Sequence, residues 1–208
     1  MSALDDFLAI FKKFGTVGAL AASGAVIAPI IGSASGLAPP WPKNLDFVTA
    51  TLSFLTMAMI FQFLPRTRKG YARVFIGGTI AFAASLLTQV YLHMRFVTTA
   101  PGIEGPLLLG CEWKRDILLL ANRPDAHEAL DPRHQCPGDY RYLLEISGND
   151  PSTIWTAASI DNIAAMLALT WILMFVFFAV AVGSFVVFNA GRKGKAKPAA
   201  PASHSSPE

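Results

Sequence analysis

The chain has 208 residues, of which 53% are hydrophobic and only 15% charged, with a net charge of +3. Soluble domains carry about 25% charged residues, so the composition fits a polytopic membrane protein, and the length allows one helical bundle with one modest loop. The positive balance is no nucleic-acid signal: the basic residues sit in short clusters beside hydrophobic runs, where they act on membrane topology.

In chain order, residues 1–14 read as an interfacial amphipathic segment. Phe7, Ile10, Phe11 and Phe14 recur at helical spacing and share a face, with Lys12 and Lys13 placed for headgroups. The alternative is a frayed start to the first span. Residues 15–96 hold three expected transmembrane helices with short connections. The first, Gly15 to Leu37, is rich in Ala and Gly, and Pro29 should kink it. A cleaved signal ending near Ser33-Ala34-Ser35 is its rival, but the run is long for a signal and Asp5 and Asp6 precede it. Pro39-Pro40-Trp41-Pro42-Lys43 is a stiff outer connection. The second span is Phe47 to Leu64, and the third Val74 to Phe96.

Residues 97–158 form the one sizeable polar segment and hold both cysteines, Cys111 and Cys136. Short helices are expected over Glu112 to Asn122 and Asp139 to Ile146. Asp150-Pro151 reads as a helix start, with Asp as N-cap and Pro at the first position, and the fourth helix is expected to run on from there into the membrane. The fourth span covers residues 159–191, and Ile163 to Gly191 contains no Asp, Glu, Lys or Arg. About 20 apolar residues suffice to cross a ~30 Å hydrocarbon core. Residues 192–208 form a basic, then disordered, tail.

Orientation follows from charge. With the N-terminus, the 65–73 loop and the tail inside, the inner side holds ten Lys and Arg, and all of the 14 acids except Asp5, Asp6 and Glu208 fall in or beside the outer loops. The expectation is an all-α integral membrane protein with four transmembrane helices, N-in and C-in, and one long outer loop between the third and fourth.

The cysteines face an oxidising compartment in this topology, and a Cys111–Cys136 disulfide would stabilise the outer loop by about 3 kcal/mol. A zinc site from Cys111, His127, His134 and Cys136 is the rival, but the spacing matches no common pattern. Four helices with a two-cysteine second outer loop resembles, in outline only, the membrane oxidoreductases that make disulfides with quinone. Their Cys-x-x-Cys pair in the first outer loop is missing here.

Small residues recur every fourth position at Gly24, Ala28, Gly32 and Gly36, and again at Gly77, Ala81 and Ser85. Such rows let helix backbones approach in lipid, either within the monomer or between copies. A spacing of four drifts by ~40° per step, so one straight neighbour cannot follow a whole row. The polar residues at membrane depth are Gln62, Gln89, His93, Arg95 and Asp161, functional candidates by default. An Arg95–Asp161 pair joining the third and fourth helices is the plainest reading.

No nucleotide, protease or hydrolase motif occurs, and no cofactor or metal is implied. The function expected is non-catalytic: an interaction or assembly subunit of a membrane complex. The alternative is a homo-oligomeric pore lined by Gln89 and His93. Expected partners are the lipid bilayer and other membrane chains or copies of this one, in a plasma membrane of bacterial inner-membrane type.

Overall fold

Apolar runs without charge form long helices here, because in lipid or protein interior the backbone must satisfy its own hydrogen bonds. The computed structural model describes Pro29, Ile31, Gly32, Gly36 and residues 38–40, 44–63, 68–100, 105–122, 136–137 and 139–193. The interfacial segment 1–14, Gly24 and Ala28, His127 and His134, and the tail beyond Lys193 lie outside the described residues.

The described chain is mostly helical. Helix α1 spans Leu45–Phe63 and α2 spans Arg68–Phe96. A two-residue strand, β1 (Val97–Thr98), pairs antiparallel with β2 (Leu107–Leu108). Three short helices follow: α3 (Arg115–Ala121), α4 (Tyr140–Ile146) and α5 (Pro151–Ile154). The last helix, α6 (Ala157–Lys193), is 37 residues long, roughly 55 Å at 1.5 Å per residue.

Two stretches, Gly70–Phe96 and Ala157–Val187, are long and apolar enough to cross a membrane. Only 11% of the most apolar part of α2 is buried inside the chain, so internal packing does not account for its hydrophobicity. Leu45–Ile60 is a shorter apolar helix. The two long helices point to a membrane protein.

Helix α6 is the common partner. Phe75 stacks near Phe185 and Phe82 near Phe178, with ring centroids 5.8 and 5.4 Å apart. Thr170 meets Gln89 further along, so α2 and α6 run antiparallel. Leu45 clusters with Trp171 and Met174, and Met57 with Ala179, so α1 runs parallel to α6. Both helices pack against α6 far more than against each other.

The residues after α2 build a cap over one end of this bundle. Leu92, Phe96, Leu109, Trp113, Leu143, Leu144, Ile154, Trp155, Ile163 and Leu167 form one buried core, drawn from the cap and from the ends of α2 and α6. Asp139 and Asp150 cap α4 and α5, accepting from the backbone N–H of Tyr142 and Ser152. The Ser152 side chain and backbone N–H hold the Asp150 carboxyl below its ordinary pKa, with Lys114 adding a smaller pull. That cap contributes fully above the unfolded carboxylate range and is lost as pH falls through the lowered value.

The helix opened by Asp150-Pro151 does not continue into the membrane. It ends at Ile154, and Trp155 is extended, at φ −98° and ψ 153°. A backbone bridge to Trp113 holds it there: Lys114 N–H donates to Ile154 O and Thr156 N–H to Glu112 O, both at 2.8 Å. Helix α6 then starts afresh.

A Cys111–Cys136 disulfide closes the cap. On non-reducing gels the protein should run faster than after reduction, and Cys111→Ser should abolish the difference. Labelling of both thiols without reductant would show that no bond forms.

Candidate functional site

The cap is anchored to α6 through a few polar groups. Ser159, buried in the first turn of α6, accepts the backbone N–H of Cys111 at 2.6 Å and of Glu112 at 2.9 Å. One hydroxyl thus satisfies two amides next to the disulfide. Gly110 precedes them, and a Cβ there would lie 2.6 Å from Trp155 Cβ and 2.7 Å from Ser159 Oγ. Only glycine fits this approach. Neither Ser159 nor Gly110 stands out in the sequence, because no local pattern marks a residue whose partner is nearly 50 positions away.

Arg95 joins the cap to α2, donating from Nη2 to the Cys136 carbonyl at 2.5 Å. The expected Arg95–Asp161 ion pair does not form; Asp161 is exposed in the second turn of α6. The half of the cap that carries Cys136 has captured the guanidinium instead. With both cysteines in the disulfide, neither supplies a thiolate, so the four-residue zinc reading loses its sulfur ligands.

Below the cap lies a polar seam between α2 and α6. Gln89 is 1% exposed, and Thr170 Oγ1 donates to its Oε1 at 2.5 Å. A buried amide needs such a partner. His93, one turn on, is half-buried, with Nδ1 enclosed and without a hydrogen-bond partner among the described residues. Gln62, near the other end of α1, is exposed.

The small residues divide between faces. A Cβ on Gly32 would lie 2.9 Å from Trp171 Cη2 and 3.1 Å from Phe175 Cζ, so this position meets α6. Gly36 has left the helical row: it sits in a turn at φ +76°, a conformation that suits glycine, and nothing lies within 4 Å. Gly77 is exposed with nothing within 4 Å, while Ala81 and Ser85 are half-buried and Gln89 is buried. The row turns into the interface along the helix, as its drift requires. At the far end it is Gly78 that touches α6, with Val180 Cγ1 at 3.0 Å and Ala181 N at 3.1 Å from a Cβ placed there.

The cap also holds an open cleft of about 610 Å³ between the chain leaving α2 and helix α4. Among the described residues, no group of three or more His, Cys, Asp and Glu is placed to hold a metal ion. Compared with protein-family models, curated proteins and solved structures, the chain matches none. The site must therefore be read from its own chemistry.

Proposed function

We propose that this protein is a non-catalytic, multi-pass subunit of a membrane complex. In this reading it has four spans, N-in and C-in, in a plasma membrane of the bacterial inner-membrane type. Its cap stands on the outer side and its helices recruit other membrane chains or further copies. The observation that carries the reading is the exposed apolar surface of α1, α2 and α6. Phe47, Leu55 and Met59 on α1, Ile76, Ile80 and Leu87 on α2, and Leu169 and Phe185 on α6 are all exposed. Water does not tolerate so large a patch, so lipid or another chain covers it. The antiparallel course of α2 and α6 agrees with helices that enter and leave the same bilayer.

A pore lined by Gln89 and His93 draws less support from this geometry. Gln89 is buried against α6 and its oxygen is taken up by Thr170, so it faces its own chain, not a lumen.

The test is native mass in mild detergent or nanodiscs, with identification of co-purifying chains. Other chains in fixed ratio, or a defined small oligomer without conductance, support the subunit reading. A conducting ring of identical copies would replace it. Orientation has its own check. Cysteine introduced at Thr67 should resist an impermeant thiol reagent in intact cells, whereas one at the exposed Ser152 should react. The reverse pattern would overturn the N-in, C-in assignment.

A further inference from the structure

The cleft in the cap is lined by polar side chains that make no hydrogen bond to one another or to any other described residue. Thr98 and Thr99 come from the segment leaving α2, Tyr140, Arg141 and Glu145 from α4, and Asn149 from the turn after it. Leu144 and Ala100, both buried, give the cleft an apolar floor. Arg141 and Glu145 stand four apart on one helix, the spacing at which opposite charges usually meet. They form no ion pair, and neither side chain has a hydrogen-bond partner among the described residues. Among the described residues, the cleft therefore presents an unpaired cation and an unpaired anion one helical turn apart. Its volume falls within the range of about 300–1,000 Å³ typical of small-molecule sites.

We infer that this cleft binds a small zwitterion carrying an anionic oxygen group and an ammonium a few bonds apart. Arg141 takes the anionic group, and Thr98 and Thr99 add two hydroxyls to the same lining; a guanidinium offers paired donors to phosphate or carboxylate oxygens. Glu145 takes the ammonium, and the Tyr140 ring is at hand for cation–π contact. A lone anion would leave Glu145 facing it, and a lone cation would meet Arg141, so the site selects the molecule that carries both. Thr98 to Ala100 lie two to four residues past the end of α2. With α2 in the bilayer, that places the cleft at headgroup level, where a phosphoethanolamine headgroup presents this chemistry. The inference stands apart from the subunit reading, since it concerns only the cap of a single chain.

Calorimetric titration of the full chain in detergent with glycerophosphoethanolamine tests it, with glycerol phosphate and ethanolamine as single-charge controls. The zwitterion should bind more tightly than either control. Arg141→Gln and Glu145→Gln should each weaken it by about tenfold or more, the worth of one charge-assisted contact. Both side chains are exposed, so both variants should keep the parent's thermal midpoint. Native mass spectrometry from nanodiscs then separates the sources. Retention of phosphatidylethanolamine over phosphatidylglycerol, lost in both variants, identifies a lipid headgroup. Binding of the soluble zwitterion without lipid retention identifies a free solute in the same site. No binding of glycerophosphoethanolamine, equal binding of glycerol phosphate, or unchanged affinity in both variants would overturn the inference.

Discussion

Trp155→Ala should unfold the cap while leaving the α2–α6 seam in place. Trp155 is completely buried and packs in the cluster of Leu109, Trp113, Leu143 and Ile154. Removing an indole from such a site costs about 3–5 kcal/mol, through lost transfer energy and the cavity left behind. The loss falls on one region, because Trp155 lies in the extended link between α5 and α6 and its neighbours are mostly cap residues. Gln89 and Thr170, well inside the helices, keep their contact. Denaturation in detergent should therefore show an early transition absent from the parent. Hydrogen exchange should rise over residues 107–113 and 140–155 and stay low around residues 82–89 and 170–178, which lie outside that cluster. Trp155 Nε1 has no hydrogen-bond partner among the described residues, so Trp155→Phe sacrifices only volume and should cost clearly less. A single unshifted transition in Trp155→Ala would show that the buried cluster does not hold the cap together.

The parts of this fold that were legible in the sequence are those fixed by local chemistry. Residues 163–187 contain no charge, and a helix results. Asp139 and Asp150 sit where short side chains cap helices, and α4 and α5 begin directly after them. What was not legible depends on residues far apart. Trp155 breaks the helix because its backbone pairs with Trp113, and nothing near residue 155 announces that. Arg95 finds a carbonyl 41 positions away instead of the carboxylate at Asp161. The cleft exists only because the chain leaving α2 meets α4 in the cap, so Arg141 and Glu145 read as ordinary surface charges of one helix until the fold sets Thr98, Thr99 and Ala100 opposite them.

Gly77 and Gly78 pose the same problem in its sharpest form. They are adjacent, so on a helix they point about 100° apart, and composition alone cannot say which one faces a neighbour. In the fold, Gly78 is buried against Val180 and Ala181, and Gly77 is exposed. Gly78→Leu should therefore separate α2 from α6. The obstructing atom at 3.1 Å is the Ala181 backbone nitrogen, which cannot rotate away as a side-chain tip could, so the cost should reach the upper end of overpacking, about 3 kcal/mol. Thermal stability in detergent should fall, and crosslinking between cysteines placed at Phe82 and Phe178, whose rings are 5.4 Å apart, should weaken. Gly77→Leu adds its side chain to open space and should leave the monomer's stability within about 0.5 kcal/mol of the parent. Its informative readout is assembly. If the outer face of α2 joins this chain to another, Gly77→Leu should lower the native mass while the monomer stays folded. If lipid alone covers that face, the native mass should not change, and the partner must be sought on α1 or α6. Equal damage from both substitutions would show that Gly77 also faces a packed neighbour and would overturn the assignment of Gly78 as the α6 contact.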